Sequence, residues 1–286
     1  MKWIFALDAG SVDSYGDFVR VAVLSARKHS SLAPICLFDG DECELTQWMG
    51  EQGVEIIHVR SRLYDSIVEI ATRRQMPFWL QFAPGTFLRL EIPRLARERG
   101  WNDEFVFYTD CDVMFAADPR PLLEPLRPRF FAACPETFKD KPLHLNAGVM
   151  WMNVRAMDDP AFDAWLDRNL ERCCEWQYDQ TACRVFYHPL HRLAWRLKVP
   201  YRLFYSLMAR LPVRSWQWDD LPLELNWRPY WGENADASVI HFQGIKPTQR
   251  DEVHTDPFIA RMNTPFFQES ALRWDEWLQL ARDGAR

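Results

Sequence analysis

No uninterrupted apolar run in the 286-residue chain approaches the ~18 to 20 residues that a helix needs to cross a bilayer. Net positive charge is missing too. The 34 Lys and Arg stand against 40 Asp and Glu, a formal charge of -6 that offers no global field to a nucleic-acid backbone. The seven cysteines (36, 43, 111, 134, 173, 174 and 183) contain no C-x-x-C pair and have scattered spacing, which argues against a disulfide framework or a zinc cluster and for a reducing, cytoplasmic setting. The apolar run from Trp3 to Leu7 is broken by Asp8 before it reaches the length of a secretory core, so no export signal is expected. Internal repeats and flexible linkers are also lacking, and no hard domain boundary is marked.

What is present is an ordinary globular balance, 48% hydrophobic and 26% charged residues, in a chain long enough for one large domain or one and a half. The 14 Trp and 19 Phe supply flat faces that suit stacking on sugars or bases, although a Trp-rich core is the simpler reading.

Short runs rich in Val, Ile and Phe alternate with segments of helical spacing, the pattern of βαβ units on a mostly parallel sheet. Strands are predicted at Trp3 to Asp8, Ile35 to Phe38, Val54 to Val59, Phe105 to Thr109 and Phe130 to Ala133, then at LNAGVMWMNV from Leu145 and VIHFQG from Val239. Helices are predicted at Tyr15 to Lys28, Glu42 to Gln52, Gly85 to Arg99, Pro160 to Cys174 and Glu269 to Arg282.

The strand Phe105 to Thr109 runs into Asp110, Cys111 and Asp112, so two carboxylates emerge where open α/β sheets bind ligands. An i, i+2 pair at a strand end can place oxygens on one hard divalent cation, which would neutralise the phosphates of a nucleotide. A D-x-D pair alone is weak, because an exposed pair is commonly just solvated. Here the sequence after it, Val113, Met114 and Phe115, turns apolar again, unlike a surface loop. His241, following Val239 and Ile240, is a further ligand candidate, with a hydrogen-bonded core histidine as the competing reading. Lys246 lies close behind it to meet a phosphate.

At this point the chain resembles the retaining glycosyltransferases of family 8, the group of glycogenin and the bacterial lipooligosaccharide galactosyltransferases. The resemblance rests on FALDAGSVDSYG, on FVFYTDCDVMF, on LNAGVMWMNV, and on YDQTACRV together with VIHFQGIKP, in that order from Trp3 to about Pro247. It implies a GT-A-like nucleotide-diphospho-sugar transferase fold with a central, mixed, mostly parallel sheet flanked by helices. It also implies a UDP-sugar donor and Mn2+ or Mg2+ held by Asp110, Asp112 and His241. Asp8 would contact the base or ribose, with a helix N-cap as its competitor. Arg89 would pair with a carboxylate or phosphate beside the nucleotide, and Lys246 would meet the diphosphate. Asn146, Ala147 and Gly148 would face the donor sugar, and Asp179 and Gln180 would lie beneath it as the catalytic candidates. Glu136 falls where the family often carries a sugar-contacting Asp. One departure stands out: the family usually has two residues between the closing Gly and Lys and a Trp after the Pro, whereas this chain reads Gly244, Ile245, Lys246, Pro247, Thr248.

From Gln180 to Trp218 the sequence has six Arg, one Lys and eight aromatic residues but no Asp or Glu. An acceptor lid, a peripheral membrane patch over 184–218 at the inner face of the membrane, and a solvated helical cover compete for it, ranked in that order. The domain expectation is a catalytic body over 1–250, including this 180–218 segment, followed by a C-terminal helical extension over 251–286. The function expected is hexosyl transfer from a nucleotide sugar to a glycan or glycolipid acceptor, with no nucleic-acid partner. The alternatives are a nucleotide-sugar-binding protein of the same fold with weak catalysis and, behind it, a Mg-dependent phosphohydrolase using Asp110.

Overall fold

The computed structural model describes residues 1–139, 144–200, 203–204, 218–251 and 257–284. In chain order the strands are β1 (Lys2–Asp8), β2 (Ala33–Asp39), β3 (Glu55–His58), β4 (Phe105–Thr109), β5 (Val113–Phe115), β6 (Phe131–Pro135), β7 (Leu145–Asn153), β8 (Asp219–Asp220) and β9 (Val239–His241). The first seven helices are α1 (Val12–His29), α2 (Glu44–Glu51), α3 (Tyr64–Arg74), α4 (Trp79–Phe87), α5 (Ile92–Glu98), α6 (Arg120–Leu123) and α7 (Val154–Met157). They are followed by α8 (Pro160–Cys174), α9 (Tyr178–Phe186), α10 (Pro189–Arg196), α11 (Pro257–Met262) and α12 (Pro265–Asp283). The class is mixed α/β with a mostly parallel sheet and flanking helices, as expected. No helix among the described residues is long and apolar enough to cross a membrane.

The chain divides into two compact units. The first comprises Met1–Val59, Tyr108–Leu126 and Pro222–Arg286; the second comprises Arg60–Phe107 and Arg127–Leu221. Strand β4 crosses the boundary with its first three residues in the second unit and its last two in the first. Strand order is β3-β2-β1-β4 in the first unit and β4-β7-β6-β8 in the second.

In the first unit β1, β2 and β3 are parallel, with Asp8 opposite Asp39 at their carboxyl ends. Helix α1 buries Phe18, Val19, Val21 and Ala22, and its last turn carries Arg27, Lys28 and His29, which complement the helix dipole. Ser25 ties α1 to β5: its hydroxyl donates to Val21 O at 2.7 Å and accepts from the Phe115 N–H at 3.0 Å. Strands β5 and β9 pair antiparallel, His241 opposite Val113. Phe18, Met114, Ile240, Phe242, Phe267 and Trp274 pack in one core around them. Helix α12 begins at Pro265, four residues before the expected Glu269, because Thr264 caps it by accepting from the Phe267 N–H and Pro265 suits the first helical position.

In the second unit β6 and β7 pair antiparallel with an irregularity that matters for the site. Ala133 lies opposite Met150, but the next residue, Cys134, lies opposite Asn146, so Ala147, Gly148 and Val149 are skipped by the ladder. Such a bulge re-aims backbone groups away from the partner strand. The helix expected at Gly85 to Arg99 is not continuous: α4 ends at Phe87, a 3-10 turn covers Leu88–Glu91, and α5 starts at Ile92. Pro93 provides the reason, since its ring would clash with the carbonyl four residues back in an uninterrupted α-helix. The strand expected over VIHFQG is confined to Val239–His241, and the chain turns at Gly244 with φ +89°. Helix α3 and the first half of α4 were not anticipated. Much of the basic aromatic stretch, 201–202 and 205–217, lies outside the described residues.

Candidate functional site

The first cluster of expected site residues lies within the first unit. Asp110 and Asp112 leave β4 on either side of Cys111, whose thiol donates to Ala6 O of β1 at 3.2 Å and fixes the turn. The β5–β9 register then brings His241 beside Asp112, Nε2 to Oδ1 at 3.2 Å. Asp110, Asp112 and His241 can each present a ligand atom within 4.8 Å of the others. The His241 Nδ1–H donates to Asn226 Oδ1 at 2.8 Å, which aims Nε2 at the Asp112 carboxylate. The set of two carboxylates and one imidazole, with the imidazole oriented by an amide behind it, fits a divalent metal.

Lys246 donates to Asp112 Oδ2 and also to Phe242 O at 2.9 Å. Burial alone would raise the Asp112 carboxyl, but the adjacent Lys246 ammonium and His241 imidazole outweigh it and hold that carboxyl well below the ordinary range. Burial likewise opposes the Lys246 charge, and the carboxylate of Asp112 reverses the effect, raising the ammonium above its usual value. The Tyr108 hydroxyl donates to Asp110 Oδ1 at 3.0 Å. Arg228, fully buried, donates to Gln243 Oε1 at 2.7 Å and to Asn226 O at 3.1 Å, bracing the segments before and after His241.

Asp8 ends β1 and accepts from the Ser11 hydroxyl at 2.8 Å. Burial pushes its carboxyl up, against the hydrogen bonds from Ser11 and Gly10. A Cβ at Gly10 would stand 3.0 Å from Asp8 Oδ1, so a larger residue there would crowd the carboxylate.

The second cluster lies within the second unit. Arg89, in the 3-10 turn that Pro93 forces, is buried and pairs with buried Asp179, Nε to Oδ2 at 2.9 Å. It also donates to Ala147 O in the β7 bulge. The Ala147 N–H, released from the ladder, donates to Gln180 Oε1 at 2.9 Å, and the Gln180 amide donates to Glu136. Asn146 Oδ1 accepts from the Gly148 N–H at 3.1 Å. The structure thus gathers Arg89, Glu136, Asn146, Ala147, Gly148, Asp179 and Gln180. Tyr178, just before the catalytic candidates, is held at φ +48°, a left-handed conformation that a non-glycine residue adopts under constraint.

Sequence reasoning missed Asn226, Arg228, Gln243 and Tyr108, and also Gln177, whose Oε1 accepts from the Gln180 amide at 3.4 Å. Only Tyr108 had a local signal, at i-2 from Asp110. The others act across 15 or more residues or through a helix turn, and no spacing rule reports such contacts.

No protein-family model and no curated protein matches the chain. Solved structures do. The galactosyltransferase LgtC, in complex with donor and acceptor sugar analogs, superposes with a TM-score of 0.58 at 16% identity, covering 98% of this chain and 95% of that one. The bifunctional glycosyltransferase WbbM matches with a TM-score of 0.53 at 17% identity, over 96% of this chain and 51% of that one. Mouse xyloside xylosyltransferase 1 matches with a TM-score of 0.50 at 12% identity, over 85% of this chain and 97% of that one. The fold is the GT-A glycosyltransferase fold. In this GT-A chain Asp8, Asp39 and the Asp110–Asp112 pair stand at the carboxyl ends of β1, β2 and β4, the edge where open α/β sheets take their ligands.

Proposed function

We propose that the chain is a metal-dependent, retaining hexosyltransferase that moves sugar from a nucleotide donor, UDP-linked, to a glycan or glycolipid. The observation that carries this reading is the Asp110–Asp112–His241 set with its Asn226 support, on a GT-A fold. Mn2+ or Mg2+ held there would neutralise the diphosphate as it leaves. In this reading the catalytic body is 1–250, and 251–286 is a C-terminal helical extension whose helix α12 packs into the core of the first unit.

Each residue has a role in this reading. Asp112, kept ionised by its neighbours, is available as a ligand without a proton to lose near neutral pH. Lys246 holds Asp112 and, on release, carries its ammonium to phosphate. Asp8 reads the base or ribose. Arg89 and Asp179 neutralise one another in a buried pair, and Arg89 together with Gln180 fixes both polar groups of Ala147. Asn146 and Gly148 line the sugar. Gln180, with its amide nitrogen committed to Glu136 and one oxygen lone pair to Ala147, presents an oriented oxygen dipole towards an oxocarbenium-like sugar. The Arg89 contact gives Asp179 a supporting part, so Gln180 is the better candidate for the group facing the anomeric carbon.

A glycolipid acceptor has one observation in its favour. On α10 and just beyond it, Leu193 and Leu197 are exposed next to the cations Arg192, Arg196 and Lys198, the composition of a surface that meets anionic lipid. Sedimentation with anionic vesicles tests this contact, and equal recovery in the supernatant with and without anionic lipid removes it. A second reading, a sugar-nucleotide-binding protein without turnover, draws on the Lys246–Asp112 contact that a cation must displace.

The deciding experiment is a thermal-shift panel of UDP, GDP, CMP and their sugars with Mn2+, Mg2+ or EDTA. A ligand at about a hundredfold its Kd stabilises by roughly 2.7 kcal/mol. A UDP-specific, EDTA-sensitive rise that disappears in Asp110→Asn or Asp112→Asn is expected. A flat panel would reduce the relationship to fold alone. Release of UDP without acceptor separates the enzyme from the binding module.

A further inference from the structure

Helix α9 carries a second feature on the side adjoining Gln180. Arg172, Gln177, Thr181 and Arg184 are among the polar residues that line a half-open cavity of about 50 Å³, and Trp176 and Trp195 are among its largely apolar remainder. A water fills about 10–15 Å³ of such space, so the interior takes a group of a few heavy atoms rather than a sugar ring. Both charged side chains named on its walls are cations. Arg184 is only 2% exposed and donates to the neutral amide oxygen of Gln177. Arg172 is fixed in advance: its guanidinium lies 3.8 Å from the Trp195 ring centroid and donates to Trp195 O at 2.7 Å. Trp176, 47% exposed, offers a flat face beside them.

We propose that this cavity binds the anionic group, phosphate or carboxylate, of a sugar-bearing acceptor, with the sugar against Trp176. Arg184 and Arg172 supply charge-assisted hydrogen bonds to the anion, and the indole covers the apolar face of the ring. The cavity communicates with the candidate site through Gln177, whose Oε1 accepts from both Arg184 and the Gln180 amide, the latter at 3.4 Å. An anion that draws Arg184 away leaves Gln177 Oε1 to the Gln180 amide. The acceptor role rests on the glycosyl-transfer reading; the binding of an anionic sugar does not.

The test uses the full chain labelled with 5-fluorotryptophan, the Trp176 resonance being assigned with Trp176→Phe. Glucose 6-phosphate, glucuronate, glucose and inorganic phosphate are titrated separately. Saturable shifts of the Trp176 resonance by the two anionic sugars are expected, with glucose inert and inorganic phosphate weaker than glucose 6-phosphate. Arg172→Gln should weaken the anionic sugars roughly tenfold or more while unfolding at a temperature close to the parent. The inference is overturned by a shift from glucose as large as that from glucose 6-phosphate, by unchanged affinity in Arg172→Gln, or by no shift at all. Equal binding of inorganic phosphate and glucose 6-phosphate would leave a plain anion site and refute the sugar contact. UDP with Mn2+ is tested by thermal shift on the same sample. Nucleotide binding without sugar-anion binding refutes the cavity assignment alone, and sugar-anion binding without nucleotide binding refutes the acceptor role.

Discussion

Replacing Asn226 with alanine removes the group that accepts from His241 Nδ1–H at 2.8 Å. Both residues are buried, Asn226 completely, so the freed N–H loses its acceptor within the interior. Leaving a buried donor unsatisfied costs about 1–3 kcal/mol, and removing the partner that orients a metal-bound histidine lowers metal affinity about 10- to 100-fold, or roughly 1.4–2.8 kcal/mol. Two assays read these effects independently: Mn2+ affinity by titration calorimetry, and urea unfolding in EDTA. Asn226→Ala should lose both metal affinity and stability. Asn226→Asp keeps an acceptor at the same reach and should retain metal affinity, because a carboxylate behind the imidazole raises its basicity. If Asn226→Ala binds Mn2+ as tightly as the parent while losing stability, the contact is structural and the metal reading of His241 fails with it.

Three further outcomes are expected. Arg89→Met removes the cation 2.9 Å from the buried Asp179 carboxylate and should cost about 3–5 kcal/mol in urea unfolding, with the joint Arg89→Met, Asp179→Leu variant recovering a large part; an undiminished midpoint in the single variant would refute the pairing. Lys246→Met should weaken UDP but leave Mn2+ affinity equal or higher, since the ammonium and the cation compete for Asp112; lower Mn2+ affinity would contradict this. Burial lowers His188 to about 4 and His191 to about 2, well below the ordinary histidine value near 6.5. The unfolded chain therefore binds more protons than the folded one below about pH 6.5, so stability present above that pH falls as pH drops towards the folded values. The limiting slope is about 1.4 kcal/mol per pH unit for each imidazole. Urea midpoints at pH 7, 6 and 5 should drop less steeply in His188→Gln, and parallel slopes would refute the argument.

The Asp110–Asp112–His241 set was legible because its parts are local signals: an i, i+2 acidic pair after FVFYT, and a histidine after VI. What brings them together is the β5–β9 register, which pairs residues far apart in the chain and leaves no trace in spacing. Arg89, Asp179 and Gln180 were legible through resemblance. Their joint contact with Ala147 depends on the β7 bulge, where two consecutive residues of β6 face residues four apart. The Gly85 to Arg99 segment shows the converse case, since its apolar spacing is helical throughout, yet Pro93 breaks it and sets Arg89 in a buried turn.

By itself the sequence determined the alternation of strands and helices, the carboxyl-end position of Asp8 and the Asp110–Asp112 pair, and the separation of acid from the 180–218 stretch. These depend on local periodicity and on side-chain chemistry, which are properties of neighbours in the chain. Tertiary structure alone decided that Asn226 turns His241, that Arg89 answers Asp179, and that Arg184 and Arg172 line one cavity. Those relations are set by strand register and helix packing, which bring side chains into contact without regard to their distance along the chain.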